Sequence, residues 1–155
     1  MKNTAFYTIA ILAIGGLIYL NFFRSKKPET NVLVIKTDSA PQPIGPYSQA
    51  IRKGNALFVS GQVGIEPNGK FDTASIEDET RQAMNNIKAI LNSAGLTMND
   101  IAKTTIYLTD VGNFKRVNEV YAAFFTNGIY PARETVGVAA LPKGMHIEIS
   151  VTAAK

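Results

Sequence analysis

The sequence has no cysteine and a single histidine among its 155 residues. The lack of cysteine excludes a disulfide, a thiolate nucleophile and a cysteine-ligated metal, and it leaves the redox compartment undetermined. The single histidine, His146, excludes a metal site built from several histidine ligands. Thiol catalysis and multi-histidine metal catalysis are therefore both ruled out.

The chain after residue 36 also lacks a net charge. The whole sequence has a formal net charge of +4, but residues 1–36 contain five Lys or Arg against the one acidic residue Glu29. Residues 37–155 contain eleven basic and eleven acidic residues. This neutral part gives no electrostatic reason to expect a nucleic-acid partner. Hydrophobic residues make up 46% of the sequence, which is ample for one core.

An apolar run of twenty residues, 4–23, lies near the N-terminus. Its only polar members are Thr4, Thr8 and Asn21. Such a run is long enough to cross a bilayer as a helix, and no polar face interrupts it as in a buried core helix. A cleaved signal peptide is the alternative, although the run is longer than a usual signal core and no small-x-small cleavage site follows it. We therefore expect residues 1–24 to form a single-pass membrane anchor or an uncleaved signal.

Basic residues on either side of this run bear on its orientation. Those that follow it are Arg24, Lys26 and Lys27. They outnumber Lys2 plus the N-terminal amine by one charge, which under the positive-inside rule favours a cytoplasmic domain over an exported, periplasmic one. We expect residues 25–36 to form a polar linker with a possible first strand at 32–35. We expect residues 37–155 to form the folded domain.

The folded domain combines strand and helix periodicities. The predicted strands are 32–35, 56–63, 103–108, 135–139 and 146–153. The predicted helices are 75–94, which begins with a Ser75 and Asp78 capping pattern and ends before Gly95, and 114–125. Each helix has one apolar stripe, so the simplest arrangement is an α+β sandwich with both helices on one face of a mixed sheet. The other face is partly polar, which suits burial against further copies of the chain around a semi-polar cleft.

Arg133 and Glu148 are the first candidate functional residues, because they belong to two segments that look like adjacent strands. Ile147 and Ile149 share the apolar face of the second strand, so Glu148 points away from the core. An arginine and a carboxylate so placed could bind and activate a substrate, or could form a structural ion pair across neighbouring strands. The spacing of the two residues alone does not distinguish a substrate site from a structural ion pair.

Four further residues are candidates with structural alternatives. Tyr47 follows a proline-constrained loop and could be a packed turn aromatic, and Ser60 could be a satisfied strand hydroxyl. Gly61 could mark a bulge or a close approach to the backbone. Asn118 lies among apolar helix residues, where a lone amide is either hydrogen-bonded or part of a site. His146 is predicted to be a surface residue.

Three segments carry a family resemblance. They are Pro-Ile-Gly-Pro-Tyr-Ser-Gln-Ala at 43–50, Leu-Phe-Val-Ser-Gly-Gln at 57–62, and 131–149, which runs from Pro-Ala-Arg through Leu-Pro-Lys-Gly to Ile-Glu-Ile. A fourth is Phe-Lys-Arg-Val-Asn-Glu-Val-Tyr at 114–121. In order and spacing these segments resemble the RidA (YjgF) family, the reactive intermediate imine deaminases. The resemblance covers about residues 37–154.

The resemblance implies a chorismate-mutase-like homotrimer with clefts between subunits. Such proteins hydrolyse 2-imino acids derived from 2-aminoacrylate or 2-aminocrotonate to 2-keto acids and ammonia, without cofactor or metal. Carried over to this sequence, it implies that Arg133 binds the substrate carboxylate and that Glu148 orients or deprotonates water. The pocket-lining residues carried over are Tyr47, Ser60, Gly61 and Asn118. It favours a functional role for Arg133 and Glu148 over an ion pair.

The sequence also departs from the family pattern. Thr135 stands where many members have cysteine, so a thiol is not essential to this chemistry. Glu134 stands where a small residue is usual, and strand alternation predicts that it points away from Arg133. The apolar N-terminal run is foreign to typical members. Two other functions are considered: a non-enzymatic module that binds small carboxylates at the membrane, and an endoribonuclease, which the neutral charge disfavours.

Overall fold

The computed structural model describes residues 32–70 and 75–155. Its strands are β1 (Val32–Ile35), β2 (Ala50–Lys53), β3 (Ala56–Val63), β4 (Ile101–Leu108), β5 (Ala132–Gly137) and β6 (Ile147–Ala154). Its helices are α1 (Ile76–Ser93) and α2 (Phe114–Ala122). These elements confirm both predicted helices and every predicted strand, with shifted boundaries. The strand β2 was not predicted, because its four residues include Arg52 and Lys53 and show no clear alternation.

The six strands form one mixed sheet in the order β1-β2-β3-β6-β4-β5. Neighbours are antiparallel except β4 and β5, which run parallel. We call the face that the helices cover the inner face and the opposite one the outer face. The predicted fold class, an α+β mixed sheet with two helices on one face, is confirmed.

The core lies between α1, α2 and the inner face. Along β6, Ile147, Ile149 and Val151 are buried, while the residues between them are half-buried on the outer face. The buried part of α1 includes Met84, Ile87, Ile90 and Leu91. The helix begins as predicted, because the Ser75 side chain accepts a hydrogen bond from the Asp78 N–H.

The expected adjacency of the two strands that carry Arg133 and Glu148 is wrong. β4 lies between β5 and β6, pairing with β5 in parallel and with β6 antiparallel. Consecutive strands joined by a short connection usually pair as a hairpin, and this expectation underlies the error. Here the chain crosses over β4 through the Pro142–Gly144 turn, so the strand order is set by packing of the whole sheet.

The expectation of a membrane-anchored, single-pass protein is contradicted. Within residues 32–70 and 75–155, no helix is long and apolar enough to cross a membrane. The apolar run 4–23 and the linker residues 25–31 lie outside the described residues. The possible first strand that follows them is confirmed as β1.

Candidate active site

A cavity of about 550 Å³ opens on one side of the sheet. Of the sequence-predicted site residues, it brings together Tyr47, Ser60, Gly61 and Glu148, which we call the cavity group. Its wall is completed largely by apolar residues, including Pro41, Ile44, Val63, Ile65, Pro67 and Pro142. Among the described residues that line it, the cavity has one carboxylate, which belongs to Glu148, and one ammonium group, which belongs to Lys143, while the rest of its wall is mostly apolar.

Glu148 reaches this cavity because alternation along β6 turns it away from the core. It is paired with Tyr107 of β4 and Val63 of β3. Burial raises the pKa of its carboxyl group above the ordinary value for glutamate. Since burial is the only cause, no described cation or hydrogen-bond donor offsets it. The carboxylate is thus poised to take up a proton.

Gly61 leaves the room that this carboxylate occupies. A methylene group placed on Gly61 would lie 1.8 Å from Oε1 of Glu148 and 2.6 Å from its carboxyl carbon. The register of β3 against β6 shifts between Val59 and Gln62, which makes a bulge at this point. Both structural interpretations of Gly61, a bulge and a close approach, therefore apply.

Ser60 ties the Tyr47 segment to β3. Its hydroxyl donates a hydrogen bond of 2.6 Å to the carbonyl oxygen of Ser48, and its N–H donates one of 3.0 Å to the carbonyl oxygen of Gln49. The hydroxyl proton is thus already used in a hydrogen bond. Ser60 can therefore offer only its hydroxyl oxygen, as an acceptor, to a molecule in the cavity. Tyr47 is half exposed, and its hydroxyl oxygen accepts a long hydrogen bond of 3.4 Å from the N–H of Ile44.

Arg133 does not line the cavity. It is paired with Thr104, a fully buried inner-face residue, so its side chain lies on the inner face beside α2. Its guanidinium carbon lies 4.8 Å from the ring centroid of Tyr121 and 5.7 Å from that of Phe114. Among the described residues, no carboxylate lies within ion-pair distance of it.

Glu134 points to the outer face, as strand alternation predicts. Its carboxylate accepts a hydrogen bond of 2.9 Å from the Thr105 hydroxyl and lies 3.1 Å from the Lys103 ammonium. The hydrogen bond with Lys103 is the main reason that the pKa of Glu134 is lowered. Glu134 therefore has partners of its own and does not occupy Arg133.

Asn118 lies on the face of α2 that Arg133 contacts. Its side-chain oxygen is buried, and among the described residues it has no hydrogen-bond partner. Helical spacing places Phe114, Asn118 and Tyr121 on one side of α2. We call these three residues with Arg133 the arginine group. A buried oxygen without a partner, on the helix face that contacts the guanidinium, is typical of a binding site, because such an oxygen is costly without a ligand.

Phe114 and Tyr121 were not among the site residues predicted from the sequence, although both belong to the 114–121 segment that resembles the family. Their spacing from Asn118 was the available signal, but it is equally the spacing of a core stripe. Tyr121 is in fact buried and donates a hydrogen bond of 3.0 Å to the Thr104 hydroxyl, while Phe114 is largely exposed. Burial raises the pKa of the Tyr121 hydroxyl, which keeps it a neutral donor.

His146 is exposed, as predicted for a surface residue, and its ring also has a buried partner. Its side chain is 56% exposed, yet its ring Nδ1 lies 2.7 Å from Oε1 of the buried Glu79. Its backbone N–H also donates a hydrogen bond of 2.8 Å to Oε2 of the same carboxylate. The residue thus fastens the end of the Pro142–Gly144 turn to α1.

Comparison with known proteins identifies the family. Residues 37–155 match the family model described as Endoribonuclease L-PSP. The chain belongs to this family, which is the RidA/YjgF family. The RutC family protein of Pyrococcus horikoshii is 51% identical over 123 residues, which are 79% of this chain and 97% of that protein.

Two relatives from Escherichia coli carry more specific descriptions. The 2-iminobutanoate/2-iminopropanoate deaminase of strain K12 is 43% identical over 123 residues, covering 78% of this chain and 96% of that protein. The crystal structure of TdcF with bound serine has a TM-score of 0.76 and 40% identity, and covers 79% of this chain and 98% of that chain. These matches agree with the predicted RidA-like fold class.

Within one RidA-like chain the two candidate groups do not meet. Glu148 lies on the outer face, Arg133 lies on the inner face, and β4 separates their strands. This geometry excludes the structural ion pair between neighbouring strands of one chain. A substrate held by both residues requires the arginine group of one chain to approach the cavity group of another.

Proposed function

We propose that this protein hydrolyses small 2-imino acids, such as 2-iminobutanoate and 2-iminopropanoate, to 2-keto acids and ammonia. The single observation that carries the proposal is the placement of Glu148, a half-buried carboxylate of raised pKa in an apolar cavity. A group with these properties suits a general base that must take a proton from water. The deaminase name of the E. coli relative supports the same reaction class.

The chemistry follows from the two groups. Arg133 holds the substrate carboxylate through two parallel N–H donors, and the faces of Phe114 and Tyr121 keep the guanidinium in place. Asn118 offers its free oxygen to an N–H of the substrate or to a bound water. These contacts fix the imine carbon, which is already electrophilic, so orientation supplies much of the rate.

Glu148 then acts as the general base and acid that transfers the protons. It takes one proton from a water molecule while the water oxygen bonds to C2, and it passes that proton to the imine nitrogen, which gives a neutral carbinolamine. It then takes the proton of the carbinolamine hydroxyl and passes it to the amino nitrogen, so that the C–N bond breaks with ammonia as the leaving group and the C2 carbonyl forms. The products are the 2-keto acid and ammonia, and Glu148 returns to its starting state.

We further propose that the site is shared between chains of a homotrimer. The outer face exposes apolar side chains of three different strands, Val34, Phe58 and Val136. They alternate with polar residues such as Thr105 and Ser150, so the face is suited to contact with further copies of the chain. A second copy could then supply Arg133 to the cavity that contains Glu148.

The deaminase proposal is tested by trapping. A threonine dehydratase generates 2-iminobutanoate in situ, semicarbazide traps it, and the full-length protein is added. We expect the trapped fraction to fall with wild-type protein and to be restored with Arg133→Ala. Full activity of that variant, with its assembly intact, would contradict the assignment.

A second candidate function is binding without catalysis. The TdcF structure contains serine, a small amino acid with a carboxylate, and this observation favours a small-carboxylate module. Calorimetric binding of 2-oxobutanoate without any acceleration of imine decay would support this candidate. An endoribonuclease activity, named in the family description, is opposed by the equal numbers of acidic and basic residues in 37–155.

A further inference from the structure

The loop formed by residues 37–47 delivers Tyr47 to the cavity, but it contains no helix or strand. Four of its residues line the cavity: Pro41, Gln42, Ile44 and Tyr47. Ile44 is 74% exposed and Tyr47 is half exposed, so packing alone holds their part of the loop weakly. Something else must fix the position of this wall.

Gln49 makes the contacts that can do so. Its side chain is 1% exposed and its carboxamide is hydrogen-bonded on both sides. The oxygen accepts a bond of 2.7 Å from the N–H of Thr37. The nitrogen donates to the carbonyl oxygens of Thr37 at 3.0 Å, Pro41 at 2.9 Å and Ala40 at 3.2 Å.

These bonds join the start of the loop to the residue just after its end. Gln49 follows Tyr47 by two positions, and its own carbonyl oxygen accepts the Ser60 N–H, so it is anchored to β3. The carboxamide therefore holds residues 37–41 in a fixed position relative to the sheet. Removal of this donor leaves the Pro41 carbonyl oxygen without a described partner, and leaves those of Thr37 and Ala40 with the Gln42 side chain alone, at 2.9 and 3.4 Å.

We propose that Gln49 is a positioning residue of the active site, which holds residues 37–47 in the one conformation that completes the cavity wall around Tyr47. This inference rests on the proposed function, because the benefit of a fixed wall is correct placement of the substrate. Gln49 itself does not need to react. It acts through Tyr47 and the loop.

The test compares Gln49→Met with Thr80→Val in the full-length protein. Methionine fills a similar volume without donors or acceptors. Thr80 is also fully buried, and its hydroxyl donates to the carbonyl oxygen of Ile76 inside α1, so the second variant loses a buried hydrogen bond away from the loop. It controls for a general loss of stability.

We expect Gln49→Met to lower kcat/KM about tenfold or more, because misplaced contacts remove the benefit of orientation. The inhibition constant of 2-oxobutanoate should rise by a similar factor, and amide hydrogen exchange should accelerate in residues 37–47 but not in α1. Thr80→Val should retain wild-type kcat/KM. In a Tyr47→Ala background, Gln49→Met should cost much less than it does alone, since both changes disable the same wall.

The outcomes separate the two proposals. If wild-type protein does not accelerate imine hydrolysis, the proposed function is wrong. The rate of amide hydrogen exchange in residues 37–47 and the affinity for 2-oxobutanoate then still test the role of Gln49. If wild-type protein is active but Gln49→Met keeps its kcat/KM and slow loop exchange, the positioning role is wrong. Equal losses in Gln49→Met and Thr80→Val would likewise overturn it, because they would reflect stability alone.

Discussion

At the scale of single residues, the candidate site depends on what surrounds each polar group. Glu148 and Glu134 are both outer-face glutamates, yet burial raises the pKa of the first and Lys103 lowers that of the second. The difference follows from position. Glu148 faces a mostly apolar cavity and has no ion-pair partner among the described residues, although Lys143 also lines that cavity, whereas Glu134 is exposed and lies 3.1 Å from an ammonium group. Only Glu148 is thus suited to accept a proton from water.

The pH dependence of the reaction should report this pKa. The base is active when ionised, so kcat/KM should decline as pH falls through the raised pKa of Glu148, at a pH above the usual range for glutamate. Glu148→Gln should lower kcat by about 10²- to 10⁴-fold and abolish this acid limb. A pH–rate profile of imine hydrolysis measures both effects. An unchanged acid limb in the variant would assign the limb to another group.

Gly61→Ala should reduce activity more than stability. The new methyl would lie 1.8 Å from Oε1 of Glu148, but the carboxylate can move into the cavity rather than disrupt the fold. We expect kcat/KM to fall about 10²-fold through misplacement of the base. Gly137→Ala is the control, because its methyl would meet only Val111 Cγ1 at 3.1 Å. Imine trapping measures the activity of both variants, and thermal unfolding measures their stability. A fully active Gly61→Ala variant would show that the position of Glu148 is not critical.

At the scale of elements, α2 contains a residue, Asn118, that is unfavourable for stability and a candidate for function. It buries Val117 and Tyr121 in the core, but it also buries the side-chain oxygen of Asn118 without a described partner. The sequence predicted this helix and singled out Asn118. It could not distinguish a satisfied amide from an unsatisfied one, because the partner of a side chain depends on neighbouring elements.

Asn118→Leu should therefore separate stability from activity. Replacing an unsatisfied amide by an apolar group of similar shape is expected to leave the free energy of unfolding unchanged or raise it by about 1 kcal/mol. Imine hydrolysis should fall about tenfold or more if the amide contacts the substrate or its water. Denaturant titration and the trapping assay measure the two quantities. A less stable variant with full activity would make Asn118 a structural residue.

At the scale of the whole molecule, the strand order separates the two groups of the site. Arg133 on the inner face and Glu148 on the outer face cannot bind one small substrate within a single chain. The sequence predicted both residues, and clefts between subunits were expected from the family resemblance. Their separation within one chain could not be predicted, because it depends on β4 lying between their strands.

Complementation between two inactive variants tests the shared site. Arg133→Ala and Glu148→Gln should each be inactive, whereas their co-expression should restore about a quarter of wild-type activity, since random assembly around a cyclic trimer pairs two intact groups at that fraction of sites. Activity is measured by imine trapping on the mixed assembly, with each variant alone as control. No recovery from assemblies shown to contain both chains would mean that Arg133 and Glu148 of different chains do not act on one substrate.

The sequence by itself determined every helix and strand except β2, the buried faces of those elements and the family, because periodicity, caps and motif spacing are local properties of the chain. The cap at Ser75, the buried face of β6 and the outward turn of Glu134 all follow from such patterns. The tertiary structure alone decided that β4 lies between β5 and β6, that Glu148 is desolvated and that Gln49 bonds residues 37–41. These features depend on contacts between residues far apart in the chain, and their energies arise only when the elements are packed together.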